Sequence, residues 1–79
     1  MQAKKILDKE TKNQISFMGF IVPEFAEAYK MNKPKGYFYL KKYGGLDYIR
    51  RHWSALHMEN PRNVIREIFD VCQKNGGRL

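Results

Sequence analysis

The chain has 79 residues, which makes one domain near the lower limit at which a single apolar core sustains itself. Apolar residues are 43% of it and aromatics 14%, so global disorder is excluded and a core can form. A formal net charge of +7 sets a basic surface, to which nucleic acid, an anionic membrane face or an acidic protein is drawn.

Cys72 is the only cysteine, so no internal disulfide holds the fold, and its place on an apolar stripe predicts a buried, reduced thiol. Met1 to Asn13 is polar and charged, without the apolar stretch of a signal peptide. No run approaches the length that crosses a bilayer, so a cytoplasmic protein with no membrane association is expected. At this size a homodimer, or a partner covering part of the apolar surface, is also an expectation.

Residues 1–12 mix lysines with acidic groups and read as a flexible N-terminal arm, frayed or weakly helical; residues 13–79 read as the helical domain. Ile15, Met18, Val22, Phe25 and Tyr29 recur at spacings of three and four, which places them on one helical face. Phe17, Ile21 and Ala28 widen that stripe. Pro23 removes a backbone donor and crowds the carbonyl of Gly19. Either a new helix starts with Pro23 in its first turn or one helix bends there. The unbroken apolar register favours a single helix kinked at Pro23.

A basic connector, Met31 to Lys35, leads into a second helix over about 34–43, with Asn32 or Lys33 near its cap. Its inner face is Gly36, Tyr39, Leu40 and Tyr43, and a glycine inside a helix points to a close backbone approach. Gly44 and Gly45 supply the left-handed conformation that stops it. Leu46, Ile49, Trp53 and Leu56 repeat three, four, three as a third helix, with Asp47 well placed in its first turn. Asn60 caps a fourth helix that opens on Pro61, buries Val64, Ile65, Ile68, Val71 and Cys72, and closes on Asn75-Gly76-Gly77. The class is all-α, a single compact domain of about four helices.

Four segments carry a resemblance: Tyr39-Leu40 through Gly45, Leu46 to Ile49, Trp53 to His57, and Cys72 to Gly77. In order and spacing they resemble a family of small uncharacterised bacterial proteins, domain of unknown function thirty-seven ninety-one, over roughly residues 15–79. The resemblance implies a compact helical fold, no established enzyme activity, and a frequent setting beside another small gene. Where that neighbour is toxin-like, it implies an antitoxin-like role. Two features depart from the family pattern: Trp53 stands where tyrosine is common, and Arg62 and Arg66 stand where acidic residues are frequent. A different partner surface on the last helix would follow.

Chemistry-bearing residues are sparse. His57 ends a helix, where an imidazolium meets the dipole and free carbonyls, and His52 lies roughly 140° away around the helix, a poor chelating partner. Cys72 with His57 lacks the orienting and oxyanion groups of a nucleophilic pair. The glycine pairs lack the strand-loop-helix setting and the lysine of a phosphate loop. No catalytic, metal or cofactor residue is assigned, and the chain is expected not to be an enzyme.

Tyr37, Phe38 and Tyr39 point in three directions around one helix, so part of the aromatic cluster must face solvent. The expected function is therefore a non-enzymatic protein-interaction module, antitoxin-like where a toxin is encoded beside it. Tyr37, Phe38 and Tyr48 would bury against the partner, and Lys41, Lys42, Arg50 and Arg51 would form the basic rim. The alternative is a small nucleic-acid-binding protein, with the second and third helices as a helix-turn-helix. Asp47 at the start of the third helix weighs against it, because it repels phosphate.

Overall fold

The computed structural model describes residues 9–79, and everything below concerns them. They form four helices and no strand: α1 (Lys9–Ala28), α2 (Lys33–Lys42), α3 (Gly45–Leu56) and α4 (Pro61–Lys74). The all-α single domain expected from periodicity is what the chain adopts. No described helix is long and apolar enough to cross a membrane.

α1 runs as one helix through Pro23, as the apolar register predicts. Its ladder lacks one rung, because Pro23 has no N–H for the carbonyl of Gly19. It is already helical at Lys9, so Lys9 to Lys12, expected in the arm, belong to the helix. Lysine and glutamate are good helix formers, and a helix nucleated further on propagates back through them. The rest of the expected arm lies outside the described residues.

The helix ends follow local chemistry. The Asn32 side chain accepts from the Lys35 N–H at 2.9 Å, and Asn60 does the same for Arg62 at 2.9 Å. Each is followed by a proline in the first turn of its helix. Gly44, at φ 83°, closes α2 and opens α3. α4 ends in a Schellman motif: Gly76 at φ 95°, with the Gly77 N–H on the Cys72 carbonyl at 2.8 Å. α1 uses the same device without a glycine. Lys30 stands at φ 60° while the Met31 N–H reaches the Ala26 carbonyl at 2.8 Å.

α1 lies across the other three helices, and α2, α3 and α4 follow one another as neighbours. Ile21, Phe25, Leu40, Ile49, Val64, Ile68 and Cys72 are completely buried between them. Phe25 is the hub. Its ring stacks on Tyr39 at 5.9 Å and meets Tyr29 at 4.9 Å and Phe69 at 6.4 Å. The α1–α2 crossing is tight because of Gly36: a Cβ there would sit 2.6 Å from the Ala26 Cβ and 3.2 Å from its Cα. This is the close approach that a glycine inside α2 implied.

The apolar stripe of α1 is not buried evenly. Ile15, placed on the core face by spacing, is 54% exposed. Ala28 is exposed as well. Three helices cover only the arc around Ile21, Phe25 and Ala26, so the edges of a wide stripe stay at the surface.

Candidate functional site

The short helix α2 sets out its three aromatics as their 100° steps dictate. Tyr39 turns inward, 8% exposed, and its hydroxyl donates to the Gly77 carbonyl, which fastens the end of α4 to α2. Burial pushes its phenol up to about 12. Tyr37 and Phe38 turn outward, 43% and 62% exposed, and meet each other edge to face at 5.6 Å. These two expected contact residues therefore form one apolar pair at the surface.

Tyr48 does not join them. It is half-buried toward α4, where its hydroxyl donates to the Glu67 carboxylate at 3.2 Å and its ring lies 4.7 Å from that of His52. Burial, followed by the nearby Glu67 charge, raises its phenol above the ordinary value.

What Tyr37 does join is a groove that spacing did not single out. Ile15, Met18, Gly19, Val22 and Pro23 of α1, Tyr37 of α2 and Leu46 of α3 line a cavity of about 340 Å³. Seen from Leu46, Tyr48 is two residues on, roughly 200° around α3, which explains its separation. A readable signal was present: glycine and proline one turn apart inside one helix weaken it at the same face.

The basic residues divide similarly. Arg50 and Arg51 both hold Asp47, Arg51 through its Nε at 3.0 Å from Oδ2 and Arg50 through Oδ1. Two guanidiniums on one carboxylate leave a single positive charge in excess. Lys41 and Lys42 are exposed, and the Lys42 ammonium lies 5.5 Å from the centre of the Tyr43 ring. The start of α3 thus presents a buried Gly45, a groove-lining Leu46 and an occupied Asp47, which is poor equipment for reading bases.

A second cleft, of about 450 Å³, lies between α1 and the end of α3, lined by Asn13, Ser16, Phe17, Trp53 and His57. The His57 Nδ1 stands 3.1 Å from the Trp53 carbonyl oxygen. That oxygen only accepts, so Nδ1 carries the hydrogen and caps the helix end, the role that position on the helix predicts. Cys72 is completely buried, and burial pushes its thiol up to about 11, away from the reactive thiolate.

No curated protein and no solved structure matches the chain. Residues 16–75 match the family model described as Protein of unknown function (DUF3791), a span that takes in α2, α3, α4 and most of α1. The chain belongs to that family.

Proposed function

We propose that this chain is a non-enzymatic protein-interaction module that binds a protein partner at the surface around Tyr37 and Phe38. The exposed edge-to-face pair carries this reading, because large aromatics left at a surface are where binding free energy concentrates. Lys41 and Lys42 follow on the same helix, and the net charge of +7 steers an acidic partner toward it. Arg50 and Arg51 contribute less, being shared with Asp47. Tyr48 acts by joining α3 to α4 rather than by meeting the partner. In its antitoxin-like form, the partner is a toxin encoded beside this chain. Coexpression of the two, with restored growth as the readout, tests that form.

The nucleic-acid alternative ranks second because the helix that would read bases begins with a carboxylate already holding two arginines. A tagged pull-down from the native host, with and without nuclease, separates the two. One stoichiometric protein that survives nuclease and is lost with Phe38→Ala supports the module. Nucleic acid in the eluate, with all protein lost on digestion, refutes it.

A further inference from the structure

Each glycine with a tight neighbourhood or a left-handed backbone has a reason inside the chain. Gly36 and Gly45 sit against Ala26 and against Leu40 and Cys72, Gly77 sits against Tyr43 and the Cys72 carbonyl, and Gly44 and Gly76 have positive φ. Gly19 has neither. It lies in the interior of α1, and a Cβ built on it would meet nothing within 4 Å. Glycine weakens a helix interior relative to alanine, and Pro23, one turn on, weakens it again by leaving the Gly19 carbonyl without a donor. Both residues line the apolar groove. The fold does not need the missing Cβ; a backbone approaching from outside would.

We propose that this groove seats one amphipathic helix of a protein partner, apolar on the face turned to Gly19 and acidic on its flank. The inference rests on the interaction-module reading and names the partner's chemistry. From Ile15 to Pro23 the groove follows α1 for about 12 Å, two helical turns, which suits side chains spaced three and four apart on an incoming helix. Leu46 closes it from α3 and Tyr37 from α2.

The charge of the occupant follows from the rim. One turn from the lining residues stand Lys12 beside Ile15, Lys33 and Lys41 on either side of Tyr37, and Arg50 beyond Leu46. At the Pro23 end, the adjoining cleft sets Glu24 and Glu27 among Lys30 and Lys33, so positive and negative groups balance there. At the Ile15 end, Gln14 donates to the Arg50 carbonyl at 3.1 Å, which draws the middle of α3 beside α1. By register, then, the positions beside Ile15, beyond Tyr37 and beyond Leu46 are basic (Lys12, Lys41 and Arg50), and Asp47, the carboxylate of α3, is already shared between Arg50 and Arg51. An acidic helix flank complements that rim. A second copy of this chain brings the same basic rim and is repelled.

The test titrates the isotope-labelled full chain with a synthetic helical peptide, leucine on one face and glutamate on the others, and with a twin in which lysine replaces glutamate. The glutamate peptide should shift amide signals of Ile15, Gly19, Val22, Tyr37 and Leu46, with saturation below about 1 mM, and the lysine twin should bind at least about tenfold more weakly. Gly19→Leu should weaken binding by at least about tenfold while keeping a folded spectrum. Gly19→Ala should bind more weakly than wild type yet melt no lower. Equal binding of the two peptides, shifts confined to another face, or undiminished binding by Gly19→Leu would each overturn the proposal. So would contacts from Ile6 or Leu7 to Tyr37, or groove signals that move with protein concentration alone. A host protein whose capture depends on Phe38 but ignores Gly19→Leu would remove the groove and leave the module reading standing.

Discussion

One substitution, glycine to alanine, should act with opposite sign at two positions. Gly36→Ala in α2 adds a Cβ 2.6 Å from that of Ala26 and 3.2 Å from its Cα. Comfortable carbon contacts lie at about 3.5–4.0 Å, so the α1–α2 crossing must open by roughly 1 Å. The clash is with a methyl and backbone atoms, neither of which can rotate away. Overpacking costs about 1–3 kcal/mol, and a clash with atoms that cannot rotate away falls in the upper part of that range, about 2–3 kcal/mol, of which the better helix propensity of alanine returns about 1 kcal/mol. A net loss of about 1–2 kcal/mol is expected, or a fall of about 4–15 °C in Tm for a domain of this size. Gly19→Ala meets nothing within 4 Å and should gain up to about 1 kcal/mol. Urea unfolding followed by helical circular dichroism measures both, and the midpoints should fall on opposite sides of wild type. The double change Ala26→Gly with Gly36→Ala removes the 2.6 Å methyl contact, though not the 3.2 Å contact with the Cα, and should recover most of the overpacking part, the signature of direct coupling. A Gly36→Ala protein as stable as wild type, or a Gly19→Ala protein clearly less stable, would refute the reasoning.

Other consequences are equally open to measurement. Tyr39→Phe removes the hydroxyl that holds Gly77 and should lower stability by about 1 kcal/mol without changing the urea dependence, read from the same curves. Lys30→Gly relieves a left-handed backbone at φ 60° and should raise stability by up to about 1 kcal/mol in thermal melts. Burial raises Cys72 from 9.0 to about 11 and Tyr39 from 10.0 to about 12. The unfolded chain releases these protons first, so their contribution is whole below pH 9 and shrinks as pH climbs toward 12. Unfolding midpoints across that window should fall with rising pH, and Tyr39→Phe should flatten the upper part. Asp47→Asn frees two exposed arginines and should change stability by less than about 1 kcal/mol. It should give no gain in duplex binding at about 0.15 M salt, and a clear gain in a filter or polarisation assay would favour the nucleic-acid alternative.

The helices and their ends were legible because their causes are local. Asn60-Pro61 starts a helix, Asn75-Gly76-Gly77 ends one, and Gly44 turns the chain, through hydrogen bonds and φ angles that involve only neighbouring residues. The inward positions of α4 followed from period alone, and Val64, Ile68 and Cys72 are buried as expected. The partition of the surface was not legible in this way. Ile15 and Tyr29 share a stripe, yet Ile15 is left exposed while Tyr29 packs against the core. Tyr37 and Tyr48 looked equivalent, but one lines a groove and the other bonds to Glu67.

Periodicity, capping residues and glycine placement thus specify four helices and the inward side of each, since these depend on the chain within a few residues. Crossing points belong to the tertiary structure alone. Whether Gly36 meets Ala26, whether Gly19 meets nothing, and which aromatics remain outside depend on how helices distant in sequence dock. Side-chain volumes at those crossings decide the docking. That packing leaves the groove lined by Ile15, Met18, Gly19, Val22 and Pro23 open beside Tyr37.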